Sequence, residues 1–351
     1  MIGLCALVAA GLASRIAGAS DDDLLKVGDV APKLQTGAWV QGEPVGNLEK
    51  GKVYLIEFWA TWCRPCLANV PHLNELHQTF KDKGLVIIGQ NVWEGSVANV
   101  PKVVQREKMS YRIALDDIKE SKEGKMGATW LKAAGIPGVP AAFLVDKQGR
   151  LAWIGYPGNL KSRVIEEVLA DTYDLAKAAA SYKTELANRP KMEKFREALG
   201  SNHLVEAESL LREVEQSTPP DCQSDLNFDR LSLSLRKKDF ETAYELAKRV
   251  SEDWFTASDL NDLAWLMATT EDLDKKNLAL AETIAIRASS ATRDETPAYL
   301  VTLARLQFLN GKLLDAIATQ QKAVELTESK ARAELEKVLA SYKEGKLPPA
   351  K

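Results

Sequence analysis

A run of apolar and aromatic residues with one acid in it, Val53-Tyr54-Leu55-Ile56-Glu57-Phe58-Trp59, stands just ahead of Cys63-Arg64-Pro65-Cys66. Its β-branched and aromatic content reads as a central strand. A helical pattern follows from Cys63 to about Phe80, with Pro71 as a kink inside it. A C-x-x-C at the end of a strand and the start of a helix has two consequences. The Cys63 sulfur lies where unsatisfied backbone N–H groups and the positive helix end favour a thiolate. Cys66, one turn inside, is close enough to attack a mixed disulfide formed at Cys63, and Pro65 is tolerated in a first turn. A thiolate nucleophile with a resolving thiol beside it is what thiol–disulfide exchange requires.

The rival reading of C-x-x-C is half a zinc site. Tetrahedral zinc needs two further ligands, yet there is no second C-x-x-C and no paired His, His72 and His77 being five residues apart. No metal is expected, and no cofactor beyond a redox-active Cys63–Cys66 disulfide. The 46 basic and 49 acidic residues nearly cancel, leaving a formal charge of −3, which removes the electrostatic footprint of a nucleic-acid binder. No dinucleotide fingerprint is present, so electrons must come from a partner, expected to be a membrane or periplasmic electron-donor protein.

The 351 residues suit two or three domains. The first part mixes strands and helices. Leu85 to Gly89 reads as a second buried strand, and Ser96 to Lys108 as a helix. Ala141 to Val145 and Leu151 to Ile154 flank Asp146-Lys147-Gln148-Gly149-Arg150 as an antiparallel hairpin, and Leu160 to Thr172 forms an amphipathic helix. The order β-α-β-α-β-β-α describes a sheet with helices on both faces. From 175 onward the patterning is helical with no convincing strand. Ala207, Ala243, Ala281 and Ala316, spaced 36, 38 and 35 apart, each begin the second helix of a pair. One pair cannot bury its apolar face, so pairs stack into a solenoid; the alternative is an irregular helical bundle.

Ile2 to Ala13 is a short apolar run followed by Ala17-Gly18-Ala19, the pattern of a secretory signal peptide over residues 1–19. Met1 alone precedes the run, so the basic n-region is missing, as a start assigned too far downstream would produce. The alternative is a buried apolar N-terminal helix. Cys5 does not read as a lipoprotein site, because bulky Leu4 stands where a small residue is needed. Cleavage after Ala19 would remove Cys5 and leave one working pair plus Cys222, which reads as an incidental thiol. The expected location is periplasmic or otherwise extracytoplasmic.

Residues 27–174 resemble the thioredoxin-fold family, and within it the bacterial extracytoplasmic TlpA- and ResA-like branch. Phe58-Trp59-Ala60-Thr61-Trp62-Cys63-Arg64-Pro65-Cys66 matches the active-site strand and turn, Pro71 matches the helix kink, and Gly138 to Asp146 matches the Val-cis-Pro segment with its following strand. The resemblance implies a cis Val139–Pro140 bond facing Cys63, with Val139 and Pro140 holding a substrate backbone. It also implies an α/β thioredoxin-like domain with a central mixed sheet. Glu57 stands where thioredoxin has a buried Asp. Either it lies beneath the disulfide with a raised pKa and relays the Cys66 proton, or it faces the outer side of the sheet or pairs with a Lys. Arg64 either stabilises the Cys63 thiolate or is a solvated charge without effect, and Trp62 either shields Cys63 or is a packed aromatic. Asn69 departs from the family, whose ResA-like reductases carry Glu there. A peroxiredoxin reading fails, since Trp59 and Ala60 occupy the places of its Pro and Thr/Ser.

Residues 175–345 resemble a tetratricopeptide-like all-α solenoid, most clearly at Leu300, Leu303, Ala304, Gly311, Ala316 and Ala323. Together the two resemblances imply an extracytoplasmic oxidoreductase exchanging with protein thiols and disulfides, in the reducing direction, with a protein partner at the helical domain. The competing reading is an interaction scaffold carrying a redox fold as a platform.

Overall fold

The computed structural model describes residues 24–253, 257–292, 296–327 and 330–349. The expected leader, residues 1–19 with Cys5, lies outside them. The described chain divides into two compact units between Ala187 and Asn188.

The first unit is built on strands β1 (Thr36–Gln41), β2 (Val53–Trp59), β3 (Leu85–Asn91), β4 (Arg112–Asp116), β5 (Ala141–Val145) and β6 (Leu151–Gly155). They form one mixed sheet in the order β1-β4-β3-β2-β5-β6. β2 lies in its middle, parallel to β3 and antiparallel to β5. All seven β2 residues are buried, as a strand covered on both faces requires. Alternation sends Val53, Leu55 and Trp59 to one face, with Val70, Leu73, Leu76 and Phe80 of helix α2. It sends Tyr54, Ile56 and Phe58 to the other, with Trp130, Phe143 and Leu186. Trp130 and Phe143 meet edge to face with ring centroids 5.3 Å apart, and Phe58 joins them.

Helices α1 (Arg64–Ala68), α2 (Val70–Phe80), α3 (Val100–Arg106), α4 (Ser162–Leu169) and α5 (Leu175–Gly200) complete this part, the unit boundary falling inside α5. Three expectations change. The helix from Cys63 to Phe80 is broken rather than kinked: it stops at Asn69 and restarts with Pro71 in its first turn, where the missing N–H costs nothing. The helix expected from Ser96 opens as a 3-10 turn at Val97–Asn99. Strands β1 and β4 were not foreseen. β1 is a half-exposed edge whose pairing with β4 is irregular. At Gly37 the strands approach so closely that a Cβ would stand 2.8 Å from the Asp116 carbonyl oxygen.

The second unit is all-α: the end of α5, then α6 (Leu204–Ser217), α7 (Asn227–Arg236), α8 (Phe240–Asp253), α9 (Ala257–Ala268), α10 (Lys275–Ala291), α11 (Pro297–Leu309), α12 (Leu313–Glu325) and α13 (Lys330–Lys343). Ala207, Ala243 and Ala316 are each the fourth residue of α6, α8 and α12, Ala281 is the seventh of α10, and all four are fully buried. The turns before these helices each hold one residue in the left-handed region: Asn202, Lys238, Asp272 and Gly311. Three of them close with the same backbone bond across five residues: His203 to Ala198, Asp239 to Ser234, and Lys312 to Gln307. Successive pairs are also tied by polar contacts, such as Lys312 and Asn310 on the two oxygens of Glu282. Because each alanine is fully buried, Ala316→Leu is expected to overpack its site and destabilise the helical unit by about 1–3 kcal/mol, read by denaturant unfolding.

Candidate functional site

Cys63 is the N-cap of α1. Its extended backbone (φ −85°, ψ 94°) turns the chain from β2 into the helix, and its sulfur accepts the Cys66 N–H at 3.2 Å. The two cysteines form a disulfide, with Cα atoms 5.3 Å apart. Cys63 is 3% exposed and Cys66 1%, so both are buried, Cys63 slightly less. When the bond opens, the Cys66 N–H remains aimed at the Cys63 sulfur, where it stabilises a thiolate.

Val139 and Pro140 face this pair from the segment entering β5. Their peptide bond is cis, and the Val139 carbonyl oxygen lies 3.6 Å from the Cys63 sulfur. Both residues are half-buried, leaving their backbone at a rim that an incoming chain can reach. Trp62 is 58% exposed, so it is not a packed aromatic; its indole N–H donates to the Trp93 carbonyl at 3.1 Å, which fixes the ring beside the disulfide. Arg64 is exposed to solvent. Asn69, fully buried, donates its amide to Pro65 O and Tyr156 Oη at 2.8 Å each, pinning the active-site helix to the end of β6. The polar job at this position is therefore structural.

Strand alternation puts Glu57 on the face of β2 that carries Val53, Leu55, Trp59 and both cysteines. It is 1% exposed, and neither carboxyl oxygen has a hydrogen-bond partner among the described residues. No lysine meets it. Burial alone pushes its pKa well above the usual carboxylate range. The Trp59 indole N–H and the Tyr111 hydroxyl are likewise buried and unpartnered. Burial, and then the charge of Glu57, push the Tyr111 pKa up, which places its ring in electrostatic reach of Glu57.

Cys222 is a free, half-buried thiol in the second unit. Burial lowers the pKa of both His72 and His77. No cluster of three or more metal-ligating side chains occurs among the described residues. No helix among them is long and apolar enough to cross a membrane. Sequence reading passed over the loop that follows β3, where Asn91, Trp93 and Glu94 touch the active-site turn. A polar Asn and an acid at the end of an otherwise apolar strand are the only signals it offered.

A mixed sheet with a strand-to-helix C-x-x-C disulfide facing a cis-proline defines a thioredoxin-fold dithiol–disulfide protein. The redoxin family matches residues 26–169. The thiol-disulfide oxidoreductase ResA of Bacillus anthracis is 30% identical over 133 residues, 38% of this chain and 70% of that protein. Protein FixW of Rhizobium leguminosarum is 30% identical over 139 residues, 37% of this chain and 61% of that one. Among solved structures, the thioredoxin domain of a Bacteroides vulgatus thiol-disulfide oxidoreductase is 26% identical, with a TM-score of 0.34, covering 43% of this chain and 99% of that one. The chain belongs to the ResA-like thiol–disulfide oxidoreductases, and it has their protein-disulfide oxidoreductase activity.

The environment of Glu57 has a stability consequence. With a folded pKa above the unfolded one, both states hold the proton below about pH 4.5, and burial then carries no charge penalty. As pH rises past that value the unfolded state ionises first, so stability falls until the folded group ionises too. Glu57→Gln is therefore expected to melt higher relative to the unmodified protein at pH 7 than at pH 4, by at least about 2 °C in differential scanning of the oxidised forms.

Proposed function

We propose that the chain is an extracytoplasmic reductant of protein disulfides, resupplied by a membrane or periplasmic electron-donor protein and needing no cofactor beyond its own Cys63–Cys66 pair. In this reading the Cys63 thiolate attacks a substrate disulfide. One substrate sulfur leaves with the bond's electron pair and takes a proton, while Cys63 enters a mixed disulfide. Cys66 then gives up its proton to Glu57 and attacks the Cys63 sulfur; the second substrate sulfur leaves with that bond's electron pair and takes up the proton that Glu57 returns. Two electrons and two protons pass to the substrate, and Cys63–Cys66 closes. Val139 and Pro140 hold the substrate backbone during the exchange, and Trp62 provides a fixed exposed surface beside it.

The observation that carries this reading is the unpartnered carboxyl of Glu57 on the cysteine face of β2. Burial raises the pKa of this acid, which brings its proton affinity closer to that of a thiol and suits it to exchange a proton with Cys66. Once ionised it also opposes a second negative charge at Cys66. Thiols held protonated make a disulfide harder to reduce, which favours the reducing direction. Arg64 pulls the other way, but its exposure screens it. The helical unit, in this reading a tetratricopeptide-type solenoid, would dock a protein partner. The expected leader over residues 1–19 and the ResA relatives support an extracytoplasmic setting.

Insulin-disulfide reduction by the full chain is expected to vanish in Cys63→Ser; equal rates would defeat the reading. Titration against a glutathione series is expected to give a potential below about −230 mV, on the thioredoxin side, whereas a clearly higher one would make the protein an oxidant. In Glu57→Gln the resolving step is expected to slow by about 100-fold and to lose the part of its pH dependence that Glu57 supplies, measured by decay of a preformed mixed disulfide across pH.

A further inference from the structure

The turn that delivers Cys63 is tight: the Cys63 N–H closes on the Ala60 carbonyl at 3.1 Å, leaving Thr61 and Trp62 at its tip. The loop after β3 holds this turn at several points. Val92 N–H donates to Trp59 O at 2.9 Å, and the Trp62 indole donates to Trp93 O at 3.1 Å. The strongest hold is Glu94. Its Oε1 accepts the Thr61 N–H at 2.5 Å and its Oε2 accepts the Thr61 hydroxyl at 2.7 Å. From the other side the Asn91 amide donates to Oε1 at 2.8 Å.

Two features give this contact a meaning beyond bracing. All three donors are neutral, so no cation in this contact offsets the half-buried carboxylate, which is bound to Thr61, two residues before the nucleophile. The backbone is also bent to reach the position. Trp93 has φ +55°, a left-handed conformation that a bulky residue rarely adopts, and its indole is wedged where a Cβ on Gly127 would stand 3.3 Å from Nε1. A non-glycine residue held in that region marks a position fixed by its surroundings.

We propose that Glu94 is a positioning residue of the redox centre: through Thr61 it fixes the turn that presents Cys63, and its charge opposes the Cys63 thiolate and so keeps the couple reducing. The inference rests on Cys63–Cys66 being the working pair. Arg64, next to Cys63 in sequence, is exposed and so more strongly screened than the half-buried Glu94. A negative charge held near the thiolate disfavours the opened form and makes the disulfide harder to open.

The test is the redox equilibrium of the full chain with glutathione, beside the pH profile of Cys63 alkylation. Glu94→Gln keeps the size and an oxygen acceptor for Thr61 N–H but removes the charge. It is expected to make the disulfide about 5- to 10-fold easier to reduce, a rise of about 20–30 mV, and to move Cys63 alkylation to lower pH. Thr61→Val is the second variant, folding-neutral in size. It removes one donor from a carboxylate that stays charged, so its potential falls or stays, opposite in sign to Glu94→Gln. Unchanged equilibrium and alkylation profiles in Glu94→Gln, whatever its melting temperature, would reduce Glu94 to a brace and overturn the proposal. If Glu94→Gln does not fold, a rise in potential in Thr61→Val overturns it equally. The unmodified protein in the same titration reports the direction of the couple separately, so failure of the reductant reading is distinguishable from failure at Glu94.

Discussion

The redox centre depends on how β2 is paired along both of its edges. Its register with β3 sets Trp59 opposite Asn91, the last residue of each strand, and its register with β5 sets Phe58 opposite Ala141, where β5 begins. Three strand ends therefore coincide at one edge of the sheet. From that coincidence come the loop with Cys63, the loop with Glu94 and the Val139–Pro140 segment, brought together although they are far apart in sequence. A shift of one residue in either pairing would turn Glu57 away from the cysteines and part Val139 from the Cys63 sulfur. The continuous burial of β2, with core on both faces, is what makes such a shift costly.

Electrostatics then act on a site whose geometry is already set. The backbone N–H of Cys66 favours charge on Cys63, while two carboxyls act against charge on the sulfurs, Glu57 from within the core and Glu94 from the neighbouring loop. Their roles differ because their surroundings differ. Glu57 has no hydrogen-bond donor and a raised pKa, so it suits proton transfer. Glu94 is held by three neutral donors and suits orientation. In the proposed mechanism the first serves the C-x-x-C as a proton acceptor and the second fixes its nucleophile.

Much of this was legible in the sequence because the signals were local. The β2 run, the cysteine spacing and the β5–β6 hairpin each announce themselves within a few residues, and the four alanines repeat because each must fit between two helices. The face taken by Glu57 followed from strand alternation once the register was taken from the resemblance. What escaped depends on long-range pairing. β1 and β4 are short, and β1 is a half-exposed edge, so neither carries a full apolar alternation. At the break the Asn69 amide is held by Tyr156, a partner distant in sequence. Glu94 matters only because β3 ends level with β2, and no spacing rule along the chain conveys that.

The central claim is that Cys63 is the attacking sulfur and Cys66 the resolving one. Trapping with a disulfide-bearing protein tests it most directly, using single-cysteine replacements and peptide mapping of the adduct. The account predicts that Cys66→Ser accumulates a stable mixed disulfide mapped to Cys63, while Cys63→Ser accumulates none at Cys66. An adduct at Cys66 in Cys63→Ser, with none at Cys63 in Cys66→Ser, would contradict it.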